Sequence, residues 1–193
     1  MVEPHFKMLW SEHIPRYAVS GDGGTSTEIA CIAGSIGNVS APLPPPNSWA
    51  AQPDADLAIM TFKMSPGAKW ILPAAATAKA NRRLYFFHGS PLSVAGTDVP
   101  VGTMIELRSD ANVELINGDA TAEILMLQGK PIDEPVAQYG PFVMNTEAEV
   151  QQAFQDYRKT QFGGWPWQQS DPVHAREQGR FAKHADGEVE TRE

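Results

Sequence analysis

The chain has 193 residues, 42% of them hydrophobic, which is enough apolar surface for one folded domain with a core, or for two small ones. Its formal net charge of −8 argues against extended electrostatic binding to a nucleic-acid backbone, because such binding needs clustered lysine and arginine. The first residues lack a basic segment followed by an apolar one, and no apolar run is long enough to cross a bilayer. We therefore expect a cytoplasmic protein with no direct nucleic-acid or membrane binding.

The N-terminal 27 residues show little hydrophobic periodicity. They contain His5 and His13, and residues 18–27 are rich in Gly, Ser and Thr, which predicts a turn or a flexible loop. A strand is predicted next, over Glu28–Ala33. It contains Cys31, the only cysteine, so the chain cannot form an internal disulfide, and the apolar surroundings predict a buried core thiol in a reducing cytosol.

A proline-rich connection follows over Ala41–Pro53. The run Pro44–Pro46 predicts an extended segment outside any sheet, because proline has no backbone donor and a fixed φ. We expect Trp49 to fix this connection to the domain's own surface. A proline-rich ligand for another protein is the alternative.

The region from Asp56 to Gln128 has the pattern of many short strands. In the first of them, Leu57–Met64, alternate residues from Ala58 to Met64 are apolar and share one face. Turn signals rich in Gly, Pro, Asp and Asn separate the segments. Further strands are predicted over Lys69–Leu72, Arg82–Phe87, Leu92–Ala95, Met104–Leu107, Val113–Ile116 and Ala122–Leu127. Such regular spacing predicts an all-β sandwich or jelly roll.

One helix is predicted over residues 146–161. Its start, Thr146–Glu149, has the form of a capping box, and Gly163 and Gly164 are expected to end it. An apolar stripe at helical spacing is expected to pack in a core; it consists of Val150, Ala153, Phe154 and Tyr157.

The tail over residues 168–193 is polar and mixed in charge. Within it, residues 179–182 are candidates to dock on the domain, and Asp186–Glu193 is expected to be mobile. His174 and His184 are expected to be solvated rather than metal ligands.

Four parts of the chain resemble the C-terminal part of pirin-family proteins, which belong to the cupin superfamily. They are Val2–Trp10, Pro44–Trp49, Leu84–Phe87, and Gln138–Thr146 together with Phe162–Trp165. The resemblance reaches to about Ala182 and is most specific in Gln138–Thr146. It implies a cupin-type jelly-roll β-sandwich with one C-terminal α-helix. Residues 1–27 would be a linker remnant, 28–167 the cupin domain and 168–193 a polar tail.

The resemblance also implies that the metal-binding N-terminal domain of a bicupin is missing from this chain. In pirins that domain holds iron or another divalent metal through three histidines and one glutamate, and two of the histidines form a His-Pro-His unit after a Pro-Gly turn. Here Pro66–Gly67 is followed by Leu72–Ala74, and no histidine follows Pro100–Gly102 before the tail. We therefore expect no metal, no cofactor and no catalytic residue in this chain.

Two clusters in the chain leave an alternative open. His88 with Glu106 is one interpretation of a metal site, whereas a turn residue before Gly89 is the simpler one, because a single imidazole has no second nitrogen partner. Asp133 and Glu134 lie between two prolines, and we expect them to be solvated or to cap a helix rather than to act as an acid–base pair.

By resemblance, the expected role is non-catalytic: packing against the metal-binding N-terminal cupin half, with a transcription factor or a metabolic enzyme as possible protein partners. The predicted helix and the aromatic residues Phe162, Trp165 and Trp167 are the candidate interface. The alternative is part of a pirin-like quercetin 2,3-dioxygenase whose catalytic residues lie outside this chain. A third possibility is a ligand-binding cupin with a cavity lined by Trp70, Leu72, Phe86 and Met104, although such positions more often fill the barrel.

Overall fold

The computed structural model describes residue 2, residues 5–170 and residues 173–192. These residues form two compact units, one ending at residue 132 and the other beginning at residue 133. The strands of the first unit are β1 Arg16–Ser20, β2 Ser26–Ala33, β3 Ser35–Ile36, β4 Val39–Ser40, β5 Ala58–Met64, β6 Lys69–Leu72, β7 Asn81–His88, β8 Leu92–Val94, β9 Thr97–Val99, β10 Thr103–Leu107, β11 Val113–Ile116 and β12 Ala122–Gly129. The second unit contains β13 Ala137–Tyr139, β14 Phe142–Met144, α1 Glu147–Thr160, β15 Arg180–Lys183 and β16 Val189–Arg192.

The first unit is a sandwich of two main sheets. The larger has the strand order β1-β2-β5-β12-β7-β10, and the smaller has the order β6-β11-β8-β9. Neighbouring strands in both sheets are antiparallel. The predicted all-β sandwich with one C-terminal helix is thereby confirmed.

The core lies between the two sheets because successive side chains of a strand point to opposite faces. Alternate residues of β5 from Ala58 to Met64 are buried, as their spacing predicts. The ring of Phe62 packs edge-on against Trp70 of the opposite sheet, with 5.2 Å between centroids. Burial of each large side chain contributes about 1.5–3 kcal/mol, so the apolar filling is the main stabilising term.

The turn predicted within residues 18–27 is present at residues 21–25, but residues 18–20 and 26–27 lie in strands and not in a loop. Strand β1 pairs with β2 over five residue pairs, from Arg16 opposite Ala30 to Ser20 opposite Ser26. Arg16 Nη1 also donates to Glu28 Oε1 over 2.7 Å. The glycines are confined to the tight connection between the strands, where Gly23 has a φ of 66° that suits glycine. Residues 16–20, placed in a linker remnant from sequence, are therefore part of the larger sheet.

The predicted helix is confirmed, with a small change at its end. Thr146 Oγ1 accepts from the Glu149 backbone over 3.2 Å, and Glu149 Oε2 accepts from the Thr146 backbone over 2.9 Å, which completes the capping box. The helix ends at Thr160 because Gln161 adopts a left-handed conformation, with a φ of 54°. None of the helices within the described ranges is long and apolar enough to cross a membrane.

The tail is more ordered than its composition suggests. Strands β15 and β16 pair as a hairpin around Asp186–Gly187, a dipeptide that favours a tight turn. His184 lies 2.8 Å from Glu190 across this hairpin, and the ring of His174 packs against Phe181 at 4.8 Å. His174 is exposed, as predicted, whereas His184 is half-buried beside Glu190, and Val189–Arg192 forms a strand that the sequence did not predict. Glu3, Pro4 and Glu193, which fell in predicted segments, lie outside the described residues.

Candidate functional site

The position that resembles the pirin His-Pro-His unit lies at the end of β6. Leu72 is only 1% exposed and pairs with Val113 of β11, so its side chain is part of the core. The carbonyl of Pro73 accepts from Arg82 Nη1 over 2.6 Å, and the backbone N–H of Ala74 donates to Asn112 Oδ1 over 2.8 Å. The segment is thus held in place by the packing of Leu72 and by hydrogen bonds of the Pro73 and Ala74 backbone.

The second position of the cupin pattern lies on β10, after Pro100–Gly102. Thr103, Ile105 and Leu107 are half-buried, whereas Met104 and Glu106 alternate to the exposed face. Met104 is 49% exposed, so its expected place in a barrel cavity is wrong. Trp70, Leu72 and Phe86 are all buried in the main core cluster. The inside of the sandwich is therefore filled by apolar side chains.

Neither position supplies the ligands that iron requires. A ferrous site needs imidazoles and a carboxylate that converge on one face, and the hydrocarbon side chains of Leu72 and Ala74 cannot coordinate a cation. Across residues 5–170 and 173–192, no group of three or more His, Cys, Asp or Glu side chains is placed to hold a metal ion. The residues of this barrel do not fit the metal that the resemblance implies for the other domain. A metal-free chain stays a prediction.

The structure does not bring His88 and Glu106 together. His88 is the exposed last residue of β7 and lies opposite Glu123. Glu106 lies opposite Arg83, five residues back along β7, which is about 16 Å at the usual strand rise. Its carboxylate is 3.6 Å from Arg83 Nη2.

A buried polar cluster at one end of the barrel was not predicted from the sequence. Arg82 is only 3% exposed, and its Nε donates to Gln128 Oε1 over 2.7 Å. Burial lowers the pKa of Arg82, and the nearby Asp56 carboxylate opposes that shift. Gln128 Nε2 donates in turn to Asp56 Oδ1 over 2.9 Å, and the backbone N–H of Thr77 donates to Asp56 Oδ2 over 2.9 Å. The sequence contains a sign that Arg82 is buried, because Arg82 lies on the same face of β7 as the core residues Leu84 and Phe86.

The proline-rich connection closes over this polar end. Trp49 Nε1 donates to the backbone carbonyl of Lys130 over 2.9 Å, which confirms that Trp49 fixes the connection to its own domain. Lys130 Nζ contacts Asp54 Oδ2 at 2.7 Å, and this hydrogen bond lowers the pKa of Asp54. Between these loops lies a cavity of about 910 Å³.

The turn that begins the first cupin pattern is held by Asn117. Its Nδ2 lies within hydrogen-bonding distance of three carbonyls, those of Met64, Ser65 and Ala120. The Asn117 side chain is buried, so these contacts tie the turn around Pro66–Gly67 to the end of β11. We assign Asn117 a structural role.

The other sequence candidates are not members of the Asp56, Arg82 and Gln128 cluster. Cys31 is fully buried as predicted, and burial raises the pKa of its thiol. His5 and His13 are exposed. Asp133 and Glu134 are exposed as well, and Glu134 Oε2 accepts from Asn145 Nδ2 over 2.6 Å, so the two carboxylates form no acid–base pair with each other.

The second unit carries an aromatic cluster around α1. Phe142 packs edge-on against Phe154 at 4.7 Å and against Phe162 at 5.9 Å. Tyr157 joins Phe162 at 5.2 Å, and Trp165 packs on Trp167 at 6.5 Å. Several large aromatic side chains here remain exposed, namely Tyr139, Tyr157, Phe162 and Trp165. Such a surface has the composition of an interface core.

Comparison with known proteins agrees with this architecture. The model of the Pirin C-terminal cupin domain family matches residues 59–163. Human pirin is 31% identical over 169 residues, which are 84% of this chain and 52% of that protein. A tomato pirin-like protein is 29% identical, over 82% of this chain and 50% of its own length. A Pseudomonas aeruginosa protein with the provisional name quercetin 2,3-dioxygenase is 41% identical over 78 residues, 39% of this chain and 27% of that protein.

Solved structures show the same fold. A crystal structure of quercetin 2,3-dioxygenase from Acinetobacter baumannii superposes with a TM-score of 0.62 at 24% identity, covering 80% of this chain and 49% of that one. The chain spans about half the length, or less, of the curated relatives named above. About half of the length of human and tomato relatives, and more of the Pseudomonas aeruginosa protein, is not matched by this chain.

Proposed function

The chain belongs to the pirin family through its C-terminal cupin domain, and we propose that this domain binds no metal and packs against a metal-binding cupin half. The observation that carries the proposal is Leu72, which stands where a metal ligand would be expected and is buried in an apolar core. A site without nitrogen or carboxylate donors has no means of holding a divalent ion.

The length relationship supports a packing role. Human and tomato relatives are about twice as long as the part that this chain matches. Two cupin units in one protein would bury apolar surface against each other, and the exposed aromatics Tyr139, Tyr157, Phe162 and Trp165 are our proposed contact surface. Packing of this kind would exclude water from the partner's metal site.

Self-association of the chain tests this surface. An apolar interface without its partner drives association as concentration rises. We expect sedimentation velocity to show concentration-dependent dimers, which Tyr139→Ser and Trp165→Ser weaken. Val173→Ser is the control, because Val173 is also exposed but is not part of the aromatic cluster. A strict monomer at every concentration, or equal loss in the control, would contradict the proposed interface.

A part of a quercetin 2,3-dioxygenase is the second candidate, supported by the name of the Pseudomonas aeruginosa relative. In that case the activity belongs to a longer protein, and this chain contributes a structural domain rather than catalytic side chains. We expect no oxygen-dependent loss of quercetin absorbance with this chain after it has been incubated with iron(II). Multiple turnovers by the chain alone would place the chemistry in this domain and contradict both candidates as stated.

A further inference from the structure

The polar end of the barrel opens into a cavity that has no role in the proposed packing. The cavity lies between the proline-rich connection, the loop over residues 50–57, and the loop that joins β6 to β7. Its volume of about 910 Å³ falls in the range of small-molecule pockets. Most of its wall is apolar, and Leu43, Leu57 and Ala58 are among its lining residues.

The floor of this cavity is built from fixed polar groups. Asp56 uses both carboxylate oxygens, toward Gln128 Nε2 and the Thr77 backbone, each over 2.9 Å. Gln128 is held on its other side by the buried Arg82. Asp56 also has a φ of 47°, an uncommon conformation for a residue other than glycine. Such strained positions concentrate at ligand sites, where the surrounding structure holds them in place.

The charge around the cavity favours an anion. Lys130 is already paired with Asp54 at 2.7 Å. Lys79 lines the same cavity, and within the part of the chain that the structure describes no acidic side chain forms an ion pair with it. Together with Arg82 behind the floor, three cations stand near two carboxylates, Asp54 and Asp56. This local excess of positive charge occurs in a chain whose net charge is −8.

An apolar groove adjoins the cavity. It has a volume of about 720 Å³ and shares Leu43, Pro44, Ala50 and Leu57 with it. Beyond this shared wall the groove is lined by Leu9, Ile32 and Ile59. Leu43 is 83% exposed, so its side chain is accessible to a ligand in the cavity or the groove.

We propose that the cavity and groove bind a small organic carboxylate with an apolar body. The carboxylate lies beside Lys79, and the apolar body packs on Leu43 and Leu57 toward the groove. An apolar wall with a few fixed polar groups is the usual composition of a ligand site. This assignment is independent of the proposed packing role, because every lining residue precedes residue 133.

Calorimetric titration of the chain with octanoate tests the assignment. Octanol is the neutral probe, with the same apolar chain as octanoate but no carboxylate. Acetate is the anionic probe, with the carboxylate but no long apolar chain. We expect saturable binding of octanoate, with octanol and acetate at least about tenfold weaker, since each lacks one of the two interactions. Equal affinity for octanol, or no saturable binding of octanoate, would overturn the proposal.

Two variants locate the site. Lys79→Gln is expected to weaken octanoate binding about fivefold, the effect of one partly screened ion pair. Leu43→Ser is expected to weaken octanoate but not acetate. Lys69→Gln is the matched control, because Lys69 is an exposed lysine on β6 outside the cavity. Unchanged affinity in Lys79→Gln, or an equal loss in Lys69→Gln, would place the ligand elsewhere and overturn the assignment.

Discussion

Arg82 Nε donates a hydrogen bond to Gln128 Oε1 over 2.7 Å, and this contact joins β7 to β12 where the apolar core ends. Arg82 lies on the same inward-facing side of β7 as Leu84, and Gln128 lies on the same inward-facing side of β12 as Met126. On that side of its strand, each of them is the residue nearer to the end of the barrel. A buried cation is stable only when it is fully paired. Asp56 and the Pro73 carbonyl complete that pairing.

Arg82→Met is therefore expected to lower the free energy of unfolding by about 3 kcal/mol, because Gln128 and the Pro73 carbonyl lose a charged donor in a buried setting. Urea unfolding followed by tryptophan fluorescence measures the change. Arg108→Met is the control, since Arg108 is 80% exposed and pairs with the neighbouring Asp110, and we expect almost no change there. Equal stability of the two variants would contradict the structural role of the buried cluster.

The thiol of Cys31 gives a pH dependence at the alkaline side. Burial raises its pKa above the usual 9.0, so its contribution to stability is fully present below pH 9.0 and is lost as the pH rises through the raised value. We expect the slope of unfolding free energy against pH to be less negative in Cys31→Ala than in the wild type above pH 9.

The burial of Cys31 also predicts slow alkylation by iodoacetamide in the native state and rapid alkylation in urea. Fast alkylation of the native chain would contradict the buried position.

The carboxyl of Asp54 gives a second pH dependence, at the acid side. The hydrogen bond from Lys130 lowers its pKa below 3.8, so this contact stabilises the fold above that pH and is lost as the pH falls through the lowered value. Carbon-detected NMR titration should show the shift, and Lys130→Met should return the pKa of Asp54 toward its usual range. An unchanged pKa in that variant would show that Lys130 is not the cause.

The capping box at Thr146 predicts a local effect on α1. Thr146→Ala removes the acceptor for the Glu149 N–H and should cost about 1 kcal/mol of helix stability. Hydrogen exchange of the first-turn amides should quicken accordingly. Gln151→Ala is the control on the same helix, because Gln151 is exposed and alanine favours a helix at least as well. Faster exchange in both variants would argue against a specific effect of the cap.

Sequence patterns predicted the central strands well because burial on one face imposes strict alternation. Lys69–Leu72 and Val113–Ile116 have the predicted bounds, and Thr146 is the N-cap of the helix, as the capping-box pattern predicted. The strand Arg16–Ser20 was missed, because it pairs on one side only and its residues are at most half-buried, so it shows little hydrophobic alternation. Edge strands carry a weak sequence signal for this reason.

The site residues were harder to predict than the strands. Leu72 and Ala74 could be placed by resemblance alone, whereas the cluster of Asp56, Arg82 and Gln128 joins residues 72 positions apart along the chain. Arg82 is in phase with the buried residues Leu84 and Phe86, but charged residues at the ends of strands are usually exposed, so this phase alone was a weak sign of its burial. The predicted orientation of Met104 was wrong by one strand position, because neighbouring residues of a strand point to opposite faces of the sheet.

Metal content is the most direct test of the proposal that this barrel binds no metal ion. The 193-residue chain is incubated anaerobically with excess iron(II), desalted and analysed by plasma mass spectrometry. The account predicts less than about 0.1 equivalent of iron per chain, because the apolar side chains at the cupin positions supply no ligand. About one equivalent of iron, with imidazole nitrogen in its coordination sphere by X-ray absorption, would contradict it.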